Sequence, residues 1–175
     1  LLQQYEGNVS EDDIFILNDP YSAGGIHLPD IYIIKPVFVL GELEGFAATV
    51  GHHADVGGIV PGSNSTHSRE IYQEGLRIPV LKLFERGTVN SAIFSLIEHN
   101  VRLPEAVLGD LRAQLGAATI GERGFIDMAR RYGSSTLRSY TQEILNYAER
   151  VARAEIQDLT DGTYEFTSYI EVDHI

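Results

Sequence analysis

Residues 31–55 read IYIIKPVFVLGELEGFAATVGHHAD. The first ten are dominated by β-branched and aromatic side chains, which predicts a strand over 31–40. Pro36 cannot donate to a ladder, so this strand is expected at a sheet edge or at a bulge. Residues 41–44 (GELE) read as a turn, and 45–50 (GFAATV) as a second, weaker strand. Paired antiparallel about that turn, the start of the first strand lies beside the end of the second.

This pairing has a chemical consequence. "HLPD", residues 27–30, immediately precedes the first strand, and "GHHAD", residues 51–55, follows the second. Two H-x-x-D patterns, His27/Asp30 and His52/Asp55, therefore converge at one end of the hairpin. Two imidazoles with one or two carboxylates suit Zn, Mn(II) or Fe(II), with positions left open for water or substrate. Adjacent side chains in extended chain point to opposite faces. His52 and His53 are thus not expected to face one ion together; one is a ligand candidate and the other a supporting group or proton donor. The bland alternative is that these histidines cap turns and bond to backbone, with the acids solvated.

Outward from the hairpin, residues 13–17 (DIFIL) form a short apolar run that Asn18-Asp19-Pro20 breaks, and 21–30 read as loop. Residues 51–66 are glycine-rich and irregular, a long loop of the kind that tends to be functional or disordered. The second half changes character. Residues 90–100 look helical, and Pro104 suits a first helical turn. Leu108, Leu111, Leu115 and Ala118 recur at helical spacing, and a further helical stretch ends at Arg130-Arg131-Tyr132-Gly133. Ser134-Ser135 can cap another helix, with Leu137, Tyr140, Ile144, Tyr147, Val151 and Ala154 as its apolar stripe. Asp161-Gly162 then turns into 163–172, which alternates as a strand.

The expected class is α+β. A β-rich part with a long glycine-rich loop (1–88) carries the metal-site candidates, followed by a helical part (89–160) and a C-terminal strand (161–175). The chain begins without Met and stops inside a strand-like pattern, so it is expected to be a single domain or a fragment of a larger subunit.

Composition narrows the function. The 175 residues carry a net charge of −12. That disfavours nucleic acid, whose binders need a basic footprint, and anionic membrane surfaces. The apolar runs are strand-sized, and no signal segment opens the chain. With no cysteine, disulfides, thiol catalysis and Cys-ligated zinc are excluded. These features point to a cytoplasmic protein. "PGSNS", residues 61–65, is not a nucleophile elbow, and no phosphate-cradling loop or dinucleotide fingerprint is present. Glu74, past the glycine-rich loop, could act as general base or be a surface group. Asp19 reads as a loop-stabilising residue.

Longer motifs are specific. "NDPYSAGGIHLPD", "GHHADVGGIVPGSNSTH", "YQEGLRIPVLKL" and "GDLRAQLGA" resemble the hydantoinase B family, over residues 12–164. That family includes the C-terminal half of oxoprolinase and the metal-bearing large subunit of acetone and acetophenone carboxylases. The resemblance implies a divalent metal held by His27, His52 and Asp55, with Asp30 and His53 close by, and a place for a further ligand upstream of Leu1. It implies a hydantoinase A-type partner subunit that binds ATP, and a small cyclic amide as substrate.

The reading is a metal-dependent subunit of an ATP-dependent hydantoinase or oxoprolinase-type hydrolase that opens a hydantoin or lactam ring. Its metal residues are His27, Asp30, His52 and Asp55, and its proton-moving candidates are Glu74 and His53. Two alternatives stand beside it. One is the metal-bearing subunit of an ATP-dependent ketone carboxylase. The other is a non-catalytic interaction domain that docks an ATPase subunit, which need not hold a stoichiometric metal.

Overall fold

A computed structural model describes residues 1–169. It forms two compact units, Leu1–Ser134 and a second that begins at Ser135. In the first unit, five strands make one antiparallel sheet: β1 (Ile14–Leu17), β2 (Asp30–Val39), β3 (Glu42–His52), β4 (Leu81–Glu85) and β5 (Thr88–Val89). The strand order is β3-β2-β1-β4-β5. Two helices follow, α1 (Ser91–Asn100) and α2 (Pro104–Tyr132). The chain is α+β, as its pattern of strands before helices requires. The first unit joins the β-rich part to α1 and α2. These helices belong to it because their apolar faces cover the sheet.

The period-two pattern of β1 and β2 sets the layers. Ile14 and Ile16, with Ile31 and Ile33, face the main core, where they meet Leu83, Ile93, Ile97, Val107 and Leu111. Phe15 and Leu17 face the other way and pack with Val80, Tyr5, Tyr32 and Ile34. Lys35 lies on the buried face of β2, and its ammonium is 2.7 Å from the Glu122 carboxylate of α2.

The hairpin is tighter than the sequence suggested. Its turn is Leu40-Gly41, at φ 53° and 84°, and β3 begins at Glu42. Two consecutive residues with positive φ match the twist of a hairpin, which a four-residue turn over 41–44 would not require. β2 is also a central strand rather than an edge, since it pairs with both β1 and β3. Pro36 is tolerated because pairing with β1 covers only Tyr32, Ile33 and Ile34. A register shift follows at Val37/Phe38.

α2 is one continuous helix of 29 residues. It runs through Gly109, Gly116, Gly121 and Gly124, each costing about 1 kcal/mol relative to Ala, because Val107, Leu108, Leu111, Gln114 and Ala118 are buried against the sheet. It stops at Gly133, φ 85°, whose N–H donates to the Ala129 carbonyl at 2.8 Å. The glycine-rich loop after β3 is fixed by backbone. Gly58, at φ 74°, leaves no room for a Cβ, which would lie 2.5 Å from the Gln73 carbonyl oxygen.

Helix α3 (Ser134–Gln157) follows, and none of its residues is buried. Its expected stripe is present as sequence but exposed at Tyr140, Ile144, Tyr147 and Val151. The expected C-terminal strand is not found over 163–169, which hold no regular secondary structure; the rest of that stretch, 170–175, lies outside the described residues. No helix among the described residues is long and apolar enough to cross a membrane.

Candidate metal centre

The β2–β3 register brings the two histidine stretches together. Asp30 opens β2 and pairs with His52, the last residue of β3. The "HLPD" segment turns into the strand through the Asp30 N–H, which donates to the His27 carbonyl at 2.9 Å. His27 is thereby folded back over the strand end. Its ring stacks on that of His52, with centroids 5.3 Å apart at 29°. His52 Nδ1 lies 2.7 Å from Asp30 Oδ1. One ligand atom from each of His27, Asp30 and His52 lies within 4.8 Å of the others.

This group fits a divalent ion. Donors bound to one ion at about 2.0–2.2 Å sit about 3–4 Å apart, so a small contraction suffices. Two imidazole nitrogens and a carboxylate form a donor set suited to Zn, Mn(II) or Fe(II). His27 Nε2 is buried and has no hydrogen-bond partner, the state of a nitrogen made for another ligand. The His52 side chain is 61% exposed and that of Asp30 30%, so one side of the group is open.

Asp55, also expected in the ligand set, lies outside the group that His27, Asp30 and His52 form. It is fully buried three residues beyond the end of β3. Its Oδ1 accepts from Arg102 Nη1 and from the Gly57 N–H, each at 2.9 Å. Its Oδ2 accepts from the Arg102 backbone N–H. Bonds to a guanidinium and two amides occupy this carboxylate, which fastens the glycine-rich loop to the α1–α2 connection.

His53 points to the opposite face from His52, as strand alternation demands. It is fully buried, with Nε2 2.8 Å from Gln114 Oε1. This placement removes it from solvent. Glu74 closes the short 3-10 turn Ile71–Gln73, its backbone carbonyl accepts from Ser63, and its carboxylate is not part of the metal group. Asp19 stabilises its loop as expected, accepting from the Tyr21 N–H at 3.0 Å and the Ser22 hydroxyl at 2.6 Å. Arg77 beside it adds an ion pair at 3.2 Å. Although burial alone would raise the Asp19 pKa, these bonds hold it below the ordinary value.

Two residues that matter here were not singled out for these roles by the sequence. Arg102 carries no local signal, because its partner is 47 positions away. Gln114 does carry one: it occupies a position in the apolar stripe of α2, where an uncharged polar residue is out of place unless it is bonded.

The chain is similar in sequence and fold to known proteins. The sequence model of the Hydantoinase B/oxoprolinase family matches residues 1–175. The B-type subunit of a putative D-/L-hydantoinase from a Pseudomonas species is 33% identical over 172 residues, covering 98% of this chain and 29% of that protein. The crystal structure of an ATP-dependent caprolactamase from Pseudomonas jessenii superposes with a TM-score of 0.88 at 37% identity, over 97% of this chain and 29% of that one. The nucleotide-free structure of an acetone carboxylase matches at a TM-score of 0.70 and 25% identity, over 75% and 17%. This chain thus spans about 29% of the length of the first two. It belongs to the hydantoinase B/oxoprolinase family.

Proposed function

We propose that this chain, as a member of the hydantoinase B/oxoprolinase family, carries the metal-holding residues of an ATP-dependent enzyme that hydrolyses the C–N bond of a small cyclic amide. His27, Asp30 and His52 would hold the ion. A bound divalent cation supplies Lewis acidity and lowers the pKa of a coordinated water. Asp30 orients the His52 ring through Nδ1, and the exposed side of the group leaves space for a ring carbonyl. On the family resemblance, ATP is assigned to an A-type partner subunit, in keeping with the lack of a phosphate-cradling loop in this sequence. The observation that carries this reading is the meeting of His27, Asp30 and His52 at the end of one hairpin.

The test is direct. The full-length subunit, purified with its partner, is assayed for metal content and for ATP-dependent opening of hydantoins and lactams. Stoichiometric Zn, Mn or Fe with ring-opened product supports the reading. Absence of metal, or ring opening unaffected by chelation, overturns it.

A second reading is favoured by the acetone carboxylase likeness: the same metal group serving an ATP-dependent ketone carboxylation. Ketone and labelled bicarbonate distinguish the two, since only the carboxylase transfers label to a carbon acid.

A further inference from the structure

We propose that Gln114 is a positioning residue for the His27/Asp30/His52 centre, holding the two strand ends that carry the ligands with one amide. The inference rests on the metal reading above. Gln114 lies in the buried stripe of α2. Its Nε2 donates to the Ile31 carbonyl at 2.8 Å, and its Oε1 lies 2.8 Å from His53 Nε2. Ile31 follows Asp30, and His53 follows His52. One side chain from a helix thus bridges the residues next to two ligands on neighbouring strands.

The amide satisfies both partners in only one orientation. Reversed, its oxygen would meet the Ile31 carbonyl oxygen, two acceptors in contact. Oε1 therefore accepts, so His53 carries a proton on Nε2. Its Nδ1 is buried without a partner. The His53 N–H also donates to the Pro29 carbonyl at 2.8 Å, which ties the same residue to "HLPD". Gly51 supplies an independent sign. A Cβ there would lie 2.8 Å from Gln114 Cδ, so the missing side chain leaves the space in which the amide lies. Outer groups that orient metal ligands typically change affinity about 10–100-fold when removed.

The test uses the full-length subunit and reads Mn(II) affinity by calorimetry and the Mn(II) electron paramagnetic resonance spectrum. Gln114→Met keeps the volume and loses both hydrogen bonds. Gly51→Ala displaces the amide without replacing it and carries the test if the Met variant does not fold. Leu111→Val, in the same helix and fully buried, loosens the core without touching the amide. The proposal expects Mn(II) affinity to fall about 10–100-fold and the spectrum to change in the first two variants, with Leu111→Val lowering only the melting temperature. Wild-type affinity in folded Gln114→Met or Gly51→Ala overturns it, as does an equal loss of affinity in Leu111→Val. A wild-type subunit that holds no Mn(II), Zn(II) or Fe(II) overturns the metal reading itself, and the proposal with it.

Discussion

Asp30 stands directly opposite His52 across the β2–β3 ladder, and its Oδ1 lies 2.7 Å from His52 Nδ1. A one-residue slip of the hairpin would turn one of the two side chains to the other face of the sheet. The site therefore depends on the hairpin register, and the tight Leu40-Gly41 turn helps to set it.

His52→Ala and Asp30→Ala are expected to abolish stoichiometric metal binding, with a loss exceeding the roughly 10–100-fold of outer-group changes. Asp55→Asn should leave metal affinity within a few-fold of wild type. Metal analysis of purified protein and competition with a chromophoric chelator check both. Metal lost in Asp55→Asn but kept in Asp30→Ala would return Asp55 to the ligand set.

Arg102→Ala leaves the Asp55 carboxylate buried without its cation. Breaking a buried pair costs about 3–5 kcal/mol. The Arg102 side chain is 44% exposed, and solvent screening reduces the expected loss to about 1–3 kcal/mol. Urea denaturation measures it as a lower midpoint at unchanged slope.

Asp13 and Lys82 predict how stability varies at the extremes of pH. Burial works against the charge on Asp13, but the Arg86 and Ser10 amides and the Lys82 ammonium outweigh it, so its pKa lies below 3.8. Its contribution is full above pH 3.8 and is lost as pH falls through the lower folded value. Burial also opposes the charge on Lys82, yet bonds to Asp13 and Glu85 raise its pKa above 10.5. That contribution is present below pH 10.5 and is lost as pH rises through the higher folded value. In Lys82→Met the melting temperature should drop at about pH 7, and its decline above pH 10.5 should flatten. An alkaline limb identical to wild type would count against the pair.

Leu40 adopts φ 53° with its side chain fully exposed, at 100%. It bears the cost of a left-handed residue and gains no burial. Leu40→Asn should stabilise the protein by about 0.5–1 kcal/mol, since Asn tolerates this conformation. Thermal unfolding checks it, and a lowered melting temperature would show that Leu40 contributes something besides the turn.

The hairpin, α1, the Pro104 start and Gly133 stop of α2, and the meeting of "HLPD" with "GHHAD" were legible in the sequence because each is governed by local rules: side-chain period, turn residues and antiparallel geometry. The alternation that sends His52 and His53 to opposite faces is equally local. Strand order was not legible. Whether β2 is an edge or a central strand depends on which distant segment pairs with it, and β1 does so without a sequence mark. Nor could spacing tell Asp30 from Asp55, since both sit three residues after a histidine. Tertiary structure separated them: Asp30 is held in the strand register opposite His52, whereas Asp55 lies past the strand end, where a buried carboxylate must find a cation and Arg102, 47 residues on, supplies it.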